Sequence, residues 1–111
     1  MKGAAIIALL FSTVPASALY ITYSQWVGLP PGERSRYMAG AFDSLVSIAD
    51  DDRGRSISVH YEQCVARAKM TDRQLADNVI QFAVSRPGLH VGTVQSALIE
   101  YLVTACGLPG S

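Results

Sequence analysis

The sequence predicts an all-α fold: a small bundle of four to five helices stapled by one disulfide. Three observations carry this. Apolar residues recur on a helical period in three separate segments, while no two segments carry paired strand signals. The chain has two cysteines, Cys64 and Cys106, and they bracket two of those segments. The stretch between them, CVARAKMTDRQLADNVIQFAVSRPGLHVGTVQSALIEYLVTAC, also carries its own helix start and stop signals.

Thr71-Asp72-Arg73-Gln74 is a capping box. Its Thr71 hydroxyl accepts from the Gln74 backbone N–H, and the Gln74 side chain reaches back to the Thr71 N–H. Leu75, Ala76, Val79, Phe82 and Ala83 follow on one helical stripe. Asp72 in the first turn and Arg86 near the end both suit the helix dipole, and Pro87-Gly88 stops the helix. The next helix runs from about Thr93 to Cys106, with Val94, Ala97, Leu98, Tyr101, Leu102 and Ala105 on its stripe; Gly107 and Pro109 end it. The short link between the two predicts an antiparallel hairpin.

Upstream, Leu19 to Val27 is rich in β-branched and aromatic residues, but no second strand is available to pair with it. It reads as an N-terminal helical turn or arm whose Tyr23 and Trp26 pack onto the bundle. The competing reading of Trp26 is an exposed anchor for a partner. Gly28 to Gly32 is a turn, from which Pro31 opens a helix extending to about Ala49. Tyr37, Met38, Ala41, Leu45, Ile48 and Ala49 form its apolar stripe, with Phe42 at the margin. Ala39 and Gly40 are small enough for a close helix contact, and Asp43 is expected to stay wet.

Asp50 to Ser56 reads as a solvated charged loop. Its three adjacent carboxylates invite calcium, yet the alternating ligands, sixth-position Gly and twelfth-position Glu of an EF-hand are missing. A short helix is expected from Ser58 to Ala68, with Ser58 as its cap and Val59, Tyr61, Cys64, Val65 and Ala68 available to pack.

The chain's 111 residues suit one domain. Residues 1–18 read as a secretory signal peptide: Lys2 is the charged region, Ala4 to Phe11 the apolar core, and Ala16-Ser17-Ala18 the cleavage site. The rival reading, an uncleaved anchor, needs about 20 apolar residues, more than this run supplies. Residues 19–111 would then form a single helical domain of the periplasm, with no stable membrane anchor. In that compartment Cys64 and Cys106 most simply pair with each other; free thiols or intermolecular bridges are the alternatives. The formal net charge is zero, and loss of Lys2 makes it −1. No basic face points to nucleic acid.

No catalytic constellation is visible, so the chain reads as a non-enzyme. Ser, His and Asp occur, but not in a G-x-S-x-G or other nucleophile setting. A Cys–His pair would need a free thiol in an oxidising compartment. His60 and Cys64 lie one helical turn apart, a spacing that suits a metal pair, but the chain has only one further histidine, His90. No cofactor or metal is therefore expected.

A signal peptide, then YMAGAFDSL, C-x6-T-D-x-Q-L, an R-P break and a helix ending in Cys together resemble the Rap1a/Tai family, the periplasmic immunity proteins of type VI secretion systems. Tyr37, Gly40, Asp43, Cys64, Thr71, Gln74, Leu75, Val79, Pro87, Ala97, Leu98 and Cys106 carry the likeness. The resemblance implies a binding protein that blocks a peptidoglycan-cleaving amidase effector. The alternative is a small periplasmic structural protein or an acid-stress chaperone of the HdeA type, also helical and disulfide-linked. A homodimer is compatible with either. For a partner contact the sequence offers Arg86, Leu89 and His90, in the turn joining the two stapled helices. Leu89 would be its apolar tip, and Arg86 and His90 would be its hydrogen-bonding groups. An ordinary interhelical turn with Leu89 packed down is the competing reading. The charged segment Asp50 to Arg55 is a second candidate.

Overall fold

The computed structural model describes residues 21–47 and 51–110. In chain order these form α1 (Tyr23–Val27), α2 (Pro31–Ser47), α3 (Asp52–Arg67), α4 (Asp72–Val84), a 3-10 turn (Pro87–Val91) and α5 (Val94–Cys106). No strand occurs among the described residues; an isolated antiparallel bridge joins Thr22 to Thr93. The signal-peptide reading of residues 1–18, and the expected places of Ile48, Ala49 and Asp50, fall outside the described residues.

Side-chain oxygens start four of the five helices, because the first N–H groups of a helix have no partner within it. Thr22 caps α1 in a capping box with Gln25, and Thr71 caps α4 in the expected box with Gln74. Thr93 accepts from the Ser96 N–H at the start of α5. Asp51 accepts from the Gly54 N–H at the start of α3. Pro31 occupies the first position of α2, where its missing N–H costs nothing. Gly107, at φ 75°, ends α5 by donating its N–H to the Val103 carbonyl.

The third helix starts earlier than its sequence suggests. Asp52 to Ser56 is not loop but the first turn of α3, with Asp52 favourably placed at the dipole's positive end and paired to Arg55 at 3.1 Å. Ser58 accordingly caps nothing: it is buried mid-helix and its hydroxyl donates to the Gly54 carbonyl one turn back. Val59, expected to pack, is exposed, whereas Tyr61 is buried.

α5 is the hub, in contact with all four other helices. It buries Val94, Ala97, Leu98 and Leu102 on the expected stripe. α4 contributes Leu75, Ala76, Val79 and Ala83, and α2 contributes Met38 and Ala41. Tyr37, Phe42, Leu45, Phe82 and Tyr101 pack against this cluster half-buried. Asp43 is exposed, as expected. Gly40 is not at a helix contact; an added Cβ there would meet nothing within 4 Å.

Trp26 and Tyr23 are core residues. Trp26 is fully buried, and its indole N–H donates to the Arg34 carbonyl at 3.1 Å. The Arg34 guanidinium in turn donates to the Val27 and Leu29 carbonyls, which pins the corner between α1 and α2. At the far end, Cys64 and Cys106 form the expected disulfide and join α3 to α5 with Cα atoms 5.9 Å apart.

Because Gly40 sits in the exposed middle of α2 with free space around it, Gly40→Ala removes unfolded-state freedom at no steric cost. The variant is expected to be more stable by about 0.5–1 kcal/mol in urea denaturation. A loss of stability would show that the position is packed.

Candidate functional site

The link between α4 and α5 is a rigid projection. Pro87, at the first position of the 3-10 turn, presets its φ, and the turn is five residues long in all. Leu89 points inward and is only 7 % exposed. His90 is half-buried: its Nε2–H donates to the Ala83 carbonyl at 2.8 Å, and its ring stacks on Tyr23 with centroids 5.1 Å apart. Because a carbonyl oxygen can only accept, Nε2 is the ring nitrogen that carries the proton in this contact.

Partners far away in sequence hold the same turn from the other side. The Ser24 hydroxyl donates to the His90 carbonyl at 2.8 Å, and the Tyr23 N–H donates to the Gly92 carbonyl at 2.9 Å. The Arg86 guanidinium lies over the Phe82 ring at 4.4 Å, within cation–π range, and Phe82 meets Tyr101 edge-on. What remains at the surface is Arg86, Pro87, Gly88 and Val91.

The proposed apolar tip is therefore misassigned to Leu89. Leu89 anchors the turn, and the exposed apolar side chain is Val91, 86 % exposed, followed by Val84 at the end of α4, 68 % exposed. His90 positions the turn more than it presents a free edge. The second candidate, the charged segment ending at Arg55, is mostly the first turn of α3.

Surface clefts among the described residues lie elsewhere, and three of them bear on the candidate residues. One runs beside α3 and the chain end, lined in part by Asp52, Arg55, His60 and Gln63. In it His60 Nε2–H donates to the Cys106 and Gly107 carbonyls at 3.2 and 2.9 Å. With Cys64 in the disulfide, His60 and Cys64 are not a metal pair, and among the described residues no group of three or more His, Cys, Asp or Glu comes together to hold a metal ion. The second cleft, of about 400 Å³, is lined by Cys64, Met70, Gln74, Asn78 and Tyr101. There Asn78 Nδ2 donates to the Tyr101 hydroxyl and to Met70 Sδ. The third, about 240 Å³ and almost wholly apolar, is lined by Leu45, Ile57, Tyr61, Ile99, Leu102 and Leu108.

Fold and surface together define a small disulfide-linked helical domain with one stiffened turn. No described helix is long and apolar enough to cross a membrane. No protein-family model, curated protein or solved structure matches the chain.

Tyr23, the base of the turn, has its pKa raised above the ordinary 10.0, because burial penalises the phenolate more than the nearby Arg34 charge favours it. The folded state thus keeps its proton where the unfolded chain has lost it, and stability falls as pH rises above about 10. Tyr23→Phe removes that dependence. Urea denaturation from about pH 8 to about pH 11 should show wild type losing ground to the variant at the alkaline end; a constant difference would rule the effect out.

Proposed function

We propose that the chain is an exported binding protein of the immunity type, which occupies and blocks a peptidoglycan amidase in the periplasm. The likeness to the Rap1a/Tai family over Tyr37 to Cys106 names the partner class. The Cys64–Cys106 disulfide is what an oxidising compartment supports. The observation that carries a binding role is the stiffened turn: an exposed Val91 beside Arg86, Pro87 and Gly88, on a base held by Leu89, His90, Tyr23 and Ser24.

Such a surface binds well for a physical reason. Association costs the ordering of whatever moves at the interface, about 0.5–1.5 kcal/mol for each rotamer-rich side chain. Here Pro87, two long-range hydrogen bonds and the Tyr23–His90 stack have ordered the backbone beforehand. Val91 and Val84 offer apolar contact, and Arg86, steadied on Phe82, offers donors to a polar cleft.

Mature chain used as bait on periplasmic extract of the native host should retain a cell-wall amidase. Val91→Asp and Arg86→Ala should each weaken that retention about tenfold or more, the scale of an interface hot spot. If no amidase is retained, the partner is wrong; if both variants retain it unchanged, the surface is wrong. Leu89→Ala is uninformative about contact, because emptying its buried site should instead cost about 2–5 kcal/mol of stability.

A further inference from the structure

We infer that α3 is a releasable element latched by the Cys64–Cys106 disulfide, and that its reduction frees α3 while the rest of the bundle stays folded. The inference does not rest on the amidase reading. Three features of the fold carry it.

First, α3 is weakly embedded. Its sixteen residues bury only Ser58 and Tyr61, whereas the thirteen-residue helices α4 and α5 bury four residues each. Ile57 and Val59 are exposed, and His60 ties α3 to the end of α5 by donating to the Cys106 and Gly107 carbonyls. Free energies of local opening track such burial, so α3 belongs at the low end of the molecule's range once its covalent tie is gone.

Second, the topology lets α3 leave. Its neighbours in sequence, α2 and α4, pack on each other more extensively than either packs on α3. Removing α3 leaves the segment between them as a loop whose ends the core already holds together. Such a loop has little closure entropy to overcome. Trp26, Met38, Val79, Val94 and Leu98, the centre of the core, all lie outside α3.

Third, the latch is reachable. Cys64 lines the cleft it shares with Met70, Asn78 and Tyr101. A dithiol reductant attacks one sulfur there, forms a mixed disulfide, and closes to its own disulfide. The Cys64–Cys106 bond breaks, and both cysteines leave as thiols carrying the two electrons and two protons. Release of α3 takes Ile57 and Tyr61 away from Leu45, Ile99 and Leu102, and so uncovers the floor of the apolar groove.

The test is amide hydrogen exchange on the full chain, oxidised and then reduced with dithiothreitol under native conditions, with thiol content confirmed by mass. On reduction, amides of α3 from Ile57 to Arg67 should lose protection by up to about 1,000-fold, the scale on which a cross-link closing a loop of this length acts. Amides of α4 and α5 should keep theirs, and Trp26 emission should stay put. Limited trypsin digestion should then cut at Arg67 and at Arg55 faster than in the oxidised chain. If all helices lose protection together, the disulfide holds the whole domain and the inference fails. Unchanged protection of α3 in the reduced chain would overturn it equally, because packing alone would then hold the helix.

Discussion

Burial of Trp26 is the constraint that the rest of the bundle satisfies. An indole is large enough to anchor a small core, yet its N–H cannot be left unpaired away from water. The Arg34 carbonyl accepts that N–H, and the Arg34 guanidinium closes the corner by donating to the Val27 and Leu29 carbonyls. A five-residue helix has no stability of its own. α1 exists because this corner and the Thr22 capping box hold it. From α1 the order spreads outward: Tyr23 stacks on His90, His90 donates to Ala83, and the turn between α4 and α5 inherits the rigidity of the core.

Local chemistry was legible in the sequence and long-range chemistry was not. The Thr71–Gln74 box, Pro31 at a first position and Gly107 past the last turn each act within four residues, and each stands where its residue type says. The apolar stripes of α2, α4 and α5 were readable because a helical period needs no knowledge of what it packs against. The start of α3 was not. Three successive carboxylates offer several competing caps, and a glycine at 54 argues against helix; only the Asp51 bond to the Gly54 N–H decides between them. Ser58 misled for a related reason: a serine hydroxyl caps a helix start or bonds back to a carbonyl four residues earlier with equal ease, and here it bonds back to Gly54.

The turn shows the same limit at the candidate site. Its position was readable from Pro87-Gly88, but which side chain faces out was not. Leu89 goes in and Val91 out because Ser24 and Tyr23, more than sixty residues earlier, fix the turn's roll through the His90 and Gly92 carbonyls. No spacing within the turn encodes that contact. The signal that would have helped is the chain's own hydropathy order, since a leucine is the costlier of the two to leave in water.

The turn and the disulfide draw on separate residues. Leu89, His90, Tyr23, Ser24 and Phe82 hold the projecting surface, and none belongs to α3 or to the cystine. His60, Tyr61 and Cys64 hold α3 through the Cys106 and Gly107 carbonyls, the apolar groove and the cystine, and none of these partners lies in the turn. A core that anchors both, through α5, lets one end stay rigid while the other is held chiefly by a covalent bond. Sites coupled only through a packed, undisturbed core have little free energy to exchange. The contact surface should therefore keep its shape whichever state the cysteines are in, so that redox chemistry would change what the domain exposes near α3 without changing what it presents at the turn.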